Sequence, residues 1–134
     1  MKLERIVKRF YDELENGKIM GRKCQACGAV EFPPKIACTT CGHFEMDWIE
    51  MSGKGVVEFF VIPSPIMSNP QNEVFKPYAL GCVTMEEGPK VNLIVRGIRP
   101  EDEDKIIAKL PLPVKACTFQ RDGFKIVVTD LVTD

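Results

Sequence analysis

Two C-x2-C pairs constrain this chain more than any other feature, because four cysteines at this spacing can surround one metal ion. Ten residues separate the pairs, and a glycine follows each pair directly, at Gly28 and Gly42. The four cysteines are Cys24, Cys27, Cys38 and Cys41. A structural zinc site takes four thiolates and leaves no coordination position open. Glycine accepts the positive φ that lets the backbone wrap closely around a sulfur.

The short spacer between the pairs indicates how the metal site is built. Many zinc sites separate their pairs by about 15–20 residues, so ten residues predict two compact hairpins, a zinc ribbon. Iron fits the same ligands, and the residues leave zinc versus iron in a purified sample open. His43, the single histidine, could serve as a spare ligand. A surface position is favoured because four cysteines already complete the tetrahedron.

Length and charge limit the function classes. A chain of 134 residues can bury one ordinary core and a small metal-stapled module. Charges interrupt the N-terminal segment throughout, so it has no signal-peptide core, and no stretch approaches the ~18 apolar residues of a membrane span. With four thiols committed to metal, we expect a reducing cytoplasm. The net charge of −1 comes without a basic run that would neutralise several phosphates.

The remaining cysteines do not form a nucleophilic site. Cys82 and Cys117 lie among apolar strand residues, where free cysteine behaves as a small hydrophobe. With one histidine in the chain, no Cys–His or Ser–His–Asp set can be assembled, and a four-thiolate zinc cannot activate water. We therefore predict no catalytic residues of the chain's own.

Three segments follow one another along the chain. Residues 2–16 carry apolar side chains at helical spacing, and Asn16-Gly17 supplies a stop signal. This apolar stripe could pack on the chain's own domain or on a partner subunit, and the pattern leaves both open. The glycines of Ser52-Gly53-Lys54-Gly55 mark a boundary. The predicted domains are an N-terminal amphipathic helix (1–17), a zinc ribbon (18–51) and a β domain (52–134).

The third segment predicts an OB-fold, a five-stranded Greek-key barrel. Strands are expected at 55–62, 77–85 and 90–98, a helix at 101–109, and a hairpin of 114–121 with 124–131 around Asp122-Gly123, a type I′ turn signal. A single helix between strands three and four favours the OB-fold over another small barrel or a sandwich. The fold class is thus mainly β, with one N-terminal helix and a zinc ribbon before the barrel.

The connection 63–76 (PSPIMSNPQNEVFK) is the least ordinary part of the barrel. Long loops in compact domains are commonly functional or disordered, and this loop borders the usual OB ligand face. We expect it to expose four apolar side chains, those of Ile66, Met67, Val74 and Phe75. A ligand or partner contact here and a flexible excursion both remain open.

The order of these motifs resembles a known family across essentially the whole chain. Its members fuse a rubredoxin-like zinc ribbon to an OB-fold, were long catalogued as a domain of unknown function, and are associated with acyl-CoA enzymes. The segments that carry the resemblance are KCQACGAVEFPP, CTTCG, SGKGVVEFFVI, PYALGCV and EEGPKVNLIVRG. The resemblance implies that the four cysteines are the zinc ligands.

The resemblance also implies a non-catalytic partner of a thiolase-fold enzyme. In archaeal-type members it implies a bridge between an acetoacetyl-CoA thiolase and a hydroxymethylglutaryl-CoA synthase, with the small protein lining a shared acyl-CoA site; related members support steroid side-chain aldolases or hydratases. CoA or acyl-CoA is then a candidate ligand, which needs cations for its phosphates and apolar walls for its pantetheine. The candidate ligand or partner contacts are Phe10, Ile66, Met67, Phe75, Tyr78, Arg96 and Arg99.

Nucleic-acid binding is the alternative function, because zinc ribbons and OB-folds both recur in RNA and single-strand binders. Such proteins combine a basic groove with stacking aromatic side chains. Residues 53–134 carry ten basic and eleven acidic side chains, and their aromatic residues are not interleaved with Lys or Arg. The acyl-CoA scaffold is therefore favoured.

Overall fold

A computed structural model describes residues 5–64, 66 and 69–132 of the chain. Its α-helices are α1 (Arg5–Glu15) and α2 (Glu103–Ile107), and 3-10 helices span Pro70–Phe75 and Pro100–Asp102. The strands are β1 (Met20–Cys24), β2 (Val30–Glu31), β3 (Met46–Glu50), β4 (Lys54–Val61), β5 (Tyr78–Met85), β6 (Lys90–Arg96), β7 (Leu112–Gln120) and β8 (Lys125–Leu131). No helix in these residues is long and apolar enough to cross a bilayer.

The first sheet is the predicted ribbon. Its three strands lie in the order β2-β1-β3, with β1 antiparallel to both neighbours. Arg22 on β1 lies opposite Trp48 on β3, and its guanidinium carbon is 5.4 Å from the centre of the Trp48 ring. Arg9 of α1 lies over the same ring at 4.9 Å, so Trp48 joins the helix to the ribbon.

The second sheet closes into a five-stranded barrel in the order β4-β5-β6-β8-β7. All pairs are antiparallel except β6 with β8, and α2 lies in the chain between β6 and β7, the third and fourth barrel strands. The predicted OB-fold is therefore confirmed. Val57, Val83 and Val95 are fully buried in its core, as expected for strands that present alternate side chains to one face.

The N-terminal helix is confirmed over its described part, and its apolar stripe packs on the chain's own domain. Leu14 is fully buried in the same core as the barrel residues. The Phe10 ring meets Phe32 of the ribbon edge at 6.0 Å, and Tyr11 meets Phe124 of the β7–β8 turn at 5.9 Å. Val7 remains 38% exposed.

The hairpin between β7 and β8 forms where it was predicted, but not with the predicted turn. A type I′ turn needs positive φ at both central residues. Gly123 has φ 82°, whereas none of the described non-glycine residues, Asp122 included, has positive φ. The type I′ assignment is therefore wrong, although Arg121 N–H still donates to the Phe124 carbonyl at 2.8 Å.

From Asn69 onward, the loop after β4 forms a 3-10 helix that its composition does not predict. Asn69 caps the 3-10 helix Pro70–Phe75 by accepting a hydrogen bond from Gln71 N–H at 2.9 Å. Phe75 is only 1% exposed, so the expectation of an exposed Phe75 is wrong. Its ring packs into a second apolar cluster with Tyr78 and Val128. Ile66 and Val74 are exposed as expected, at 94% and 65%, and Met67 lies outside the described residues.

Candidate metal centre and apolar cavity

The two cysteine pairs are presented by matching turns. Gly28 N–H donates to the Cys24 carbonyl at 3.0 Å, and Gly42 N–H donates to the Cys38 carbonyl at 2.9 Å. Both glycines have φ 79°, the left-handed region in which a side chain would be strained. The predicted role of a glycine behind each pair is confirmed.

The four sulfurs are close enough to hold one ion. All four Sγ atoms lie within 4.8 Å of one another, and the Cys24–Cys41 and Cys27–Cys38 sulfurs are each 3.6 Å apart. A tetrahedron with Zn–S bonds of about 2.3 Å has edges of about 3.8 Å, so the residues fit a zinc ion. Four protein ligands would give the ion a structural role, closing the ribbon.

The thiols influence one another strongly. The Cys27 and Ala26 amides hydrogen-bond to the Cys24 sulfur and lower its pKa to about 6, against the effect of burial. At Cys41 the His43 amide acts in the lowering direction, but the neighbouring sulfurs, Cys24 first, and burial raise its pKa to about 12. Negative charge on one sulfur therefore opposes charge on the next, and a divalent cation would relieve this repulsion.

A buried carboxylate supports the second cysteine pair. Glu31 on β2 is 7% exposed and accepts hydrogen bonds from Thr39 N–H at 2.8 Å and from the Thr39 hydroxyl. Burial acts to raise the pKa of Glu31, but the Thr39 bonds and Lys35 together lower it below its ordinary value. Glu31, on the hairpin of the first cysteine pair, thus fixes the loop that carries the second pair. Sequence reasoning missed this residue, because nothing in the sequence pattern links Glu31 to Thr39.

An apolar cavity of ≈ 650 Å³ opens where the loop after β4 meets the start of β5 and the N-terminal part of α2. Proline rings and aliphatic carbon form most of its wall, with Lys76 and Glu103 as its charged members. The lining residues are Ile62, Pro63, Ser64, Lys76, Pro77, Tyr78, Pro100 and Glu103. Volume and lining are those of a small-molecule site. Of the predicted contacts, Tyr78 lines it, and Arg99 directly precedes Pro100.

Two of the other predicted contact residues, Arg96 and Phe10, are not among the residues that line this cavity. Arg96 forms two hydrogen bonds with the Asp130 carboxylate, from Nε at 2.6 Å and from Nη2 at 2.8 Å, so its charge is already paired. Phe10 packs between Tyr11 and Phe32. Sequence reasoning selected the loop but missed Ile62, Pro63, Pro77 and Pro100. The prolines that bracket the loop were the available signal.

Comparison with known proteins identifies both modules. Residues 12–47 match the family described as ChsH2, rubredoxin-like zinc ribbon domain, and residues 48–119 match ChsH2, C-terminal OB-fold domain. The chain is 32% identical over 111 residues to a DUF35 domain-containing scaffold protein of Pyrococcus furiosus, covering 81% of this chain and 78% of that protein. A scaffold protein of the same description from Methanocaldococcus jannaschii is 28% identical over 85 residues, covering 63% and 59% of the two chains.

A solved structure shares the whole architecture. The chain resembles the structure described as Ltp2-ChsH2(DUF35) aldolase with a TM-score of 0.75 and 24% sequence identity, covering 99% of both chains. At this identity the similarity supports the fold.

Proposed function

This chain belongs to the family defined by a ChsH2-type rubredoxin-like zinc ribbon and C-terminal OB-fold domain, and on that basis we propose that it is a non-catalytic scaffold for an acyl-CoA enzyme. The observation that carries the proposal is the cluster of four thiols within 4.8 Å. In such a site the four protein ligands fill the coordination sphere of the ion, so no position is open for water or substrate. Relatives described as scaffold proteins support the same role.

The partner we propose is a thiolase-type enzyme, with bridging of an acetoacetyl-CoA thiolase and a hydroxymethylglutaryl-CoA synthase as its fullest form. An exposed apolar face on β4 and β5 supports a protein partner. Phe59, Val61 and Leu80 are 59%, 61% and 47% exposed, and Val61 lies directly opposite Leu80 in the strand register. Contiguous apolar side chains on a protein surface commonly mark an interaction site.

The ligand we propose is the acyl-pantetheine part of an acyl-CoA, held in the apolar cavity. The cavity is large enough for a drug-sized molecule and is mostly apolar. Arg99 is exposed beside it and, within the described part of the chain, has no carboxylate at ion-pair distance, so its charge can meet a phosphate. Lys76, which lines the cavity, is paired with Glu73 at 2.9 Å.

Purification of the tagged protein from its native cell, with identification of what co-purifies, tests the partner. A thiolase-type enzyme is the expected result, and its loss in Leu80→Glu would place the contact on the β4–β5 face. Recovery of the chain without any acyl-CoA enzyme would contradict the proposal. Binding of single-stranded RNA that weakens steeply with salt would favour the nucleic-acid function instead.

Calorimetric titration with acetoacetyl-CoA tests the ligand. Ser64→Trp should fill the cavity and abolish binding, whereas Lys90→Trp, at an exposed position of β6 outside the cavity, serves as the matched control. Equal affinity in both variants would contradict the assignment of the cavity.

A further inference from the structure

The C-terminal half of the loop after β4 is packed against the outside of the barrel. Because side chains alternate along a strand, Tyr78 faces away from the neighbouring core residue Ala79. Phe75 lies in this outer layer, with its ring 6.4 Å from Tyr78 and 4.7 Å from Phe119 on β7. The loop therefore has an aromatic anchor on a surface that is not part of the barrel core.

One arginine from the opposite hairpin holds the same segment. Arg121, at the start of the β7–β8 turn, donates from Nη1 to the Gln71 side-chain oxygen at 3.1 Å and from Nη2 to the Asn72 side-chain oxygen at 2.5 Å. Its guanidinium carbon also lies 5.3 Å from the centre of the Phe75 ring. A planar fork that bonds two amides and stacks on a ring is specific to arginine.

The position of this segment determines one wall of the apolar cavity. Phe75 is followed directly by Lys76, Pro77 and Tyr78, all of which line the cavity. The Pro77 carbonyl is held from the other side by Gly97 N–H at 2.8 Å. A displacement of Phe75 would therefore be transmitted to the cavity wall through consecutive backbone bonds.

We propose that Arg121 is a positioning residue that latches the 3-10 helix Pro70–Phe75 to the β7–β8 turn and so sets the shape of the cavity. The predicted effect on acyl-CoA affinity rests on the proposed function, whereas the latch between Arg121 and the 3-10 helix does not. Both acceptors are neutral amides, so the latch is weaker than an ion pair. It can open without unfolding the barrel.

Hydrogen exchange measured by NMR on the full, zinc-loaded chain tests the latch. Two backbone bonds report the segment, Asn72 N–H to the Asn69 carbonyl and Lys76 N–H to the Glu73 carbonyl, and Gly97 N–H reports Pro77. In Arg121→Ala these three amides should exchange about tenfold faster, as expected for local opening. Arg9→Ala removes a guanidinium that lies over a different ring and serves as the control. Unchanged exchange at the three amides in Arg121→Ala would overturn the proposal.

A strengthened latch separates positioning from general stability. Asn72→Asp replaces the neutral amide acceptor of Arg121 with a carboxylate, so the attraction between two opposite charges is added to the hydrogen bond. Exchange at Lys76 and Gly97 should then slow below the wild-type rate, and the gain should vanish when Arg121→Ala is added. A gain that persists without Arg121 would contradict the latch.

Titration with acetoacetyl-CoA tests the consequence. Affinity should fall by about tenfold in Arg121→Ala, as expected when only about a tenth of the molecules keep the binding-competent shape of the cavity, and Arg121→Lys should recover part of it. Unaltered affinity together with faster exchange would overturn the positioning role. If the wild type does not bind acetoacetyl-CoA, the proposed function fails, while the exchange measurements still decide the latch.

Discussion

At the scale of single residues, charge partners rather than burial alone set the chemistry of the barrel thiol Cys117. Its Sγ lies 3.4 Å from Arg96 Nη2 and 3.8 Å from Asp130 Oδ2. Burial is the largest influence and raises the pKa of Cys117; Asp130 raises it further, and Arg96 lowers it. The residue is therefore a poorly reactive thiol at neutral pH, in agreement with its predicted place among apolar strand residues.

Alkylation rates should follow these two charges. Asp130→Asn removes the carboxylate, lowers the pKa of Cys117 and increases its thiolate fraction at a given pH, whereas Arg96→Gln does the reverse. Iodoacetamide labelling at pH 8, followed by mass spectrometry of the zinc-loaded protein, should rank Cys117 modification as Asp130→Asn, then wild type, then Arg96→Gln. The opposite ranking would show that the neighbouring charges do not control the thiol.

Glu31→Gln should destabilise the ribbon. The substitution keeps an acceptor for Thr39 but removes the charge that strengthens the bonds and meets Lys35, which is 3.7 Å away. Loss of the charged acceptor at the buried Glu31 position costs about 1–3 kcal/mol. Faster zinc transfer to a chromogenic chelator measures the effect, with Glu45→Gln on the exposed ribbon surface as the control. Equal zinc-transfer rates in Glu31→Gln and Glu45→Gln would contradict a stabilising role of Glu31 in the ribbon.

At the scale of secondary-structure elements, the N-terminal helix shows what apolar periodicity can predict and what it cannot. Apolar spacing predicted α1 and its stripe, and Gly17 with φ 77° ends it as expected. Spacing does not indicate which surface a stripe covers, because that depends on residues distant in sequence. Ring contacts with Phe32 and Phe124 show that the helix packs on its own chain.

Phe10→Glu should therefore lower the stability of the isolated protein. The change places a charge among the Tyr11 and Phe32 rings, at a cost of about 1–3 kcal/mol. Thermal unfolding followed by circular dichroism measures it. Val7→Glu, at a more exposed position of the same helix, should shift the midpoint much less. A wild-type midpoint for Phe10→Glu would mean that the stripe does not contribute to folding.

At the scale of the whole molecule, the ribbon and the barrel are joined through a clamped linker. Ser52 N–H donates to Glu87 at 2.7 Å, and the Ser52 carbonyl accepts from Lys115 Nζ at 2.7 Å. Both partners belong to the barrel, so the peptide that leaves the ribbon is held on two sides. Such a junction suits a scaffold, because the orientation of the two modules is then set before any partner binds.

Loss of the metal should destabilise the ribbon and leave the barrel folded. Cys24→Ser or Cys41→Ser should release zinc and abolish partner binding, because structural zinc contributes on the order of 10 kcal/mol to the folding of small modules. Barrel amides such as those of Val83 and Val95 should keep their NMR shifts, since their core is built without the ribbon ligands. Metal analysis and co-purification measure the two effects. Intact partner binding in a zinc-free variant would contradict the role of the ribbon.

Local sequence patterns are enough to predict the ribbon and the barrel. Ligand spacing and glycine placement specify the ribbon, and strand alternation with one helix between strands three and four specifies the barrel order. The folded molecule alone shows that Phe75 is buried, that Arg121 donates to Gln71 and Asn72, and that three prolines and Tyr78 line one cavity. These contacts join residues up to 50 positions apart, and such pairs depend on how the barrel closes rather than on any local pattern.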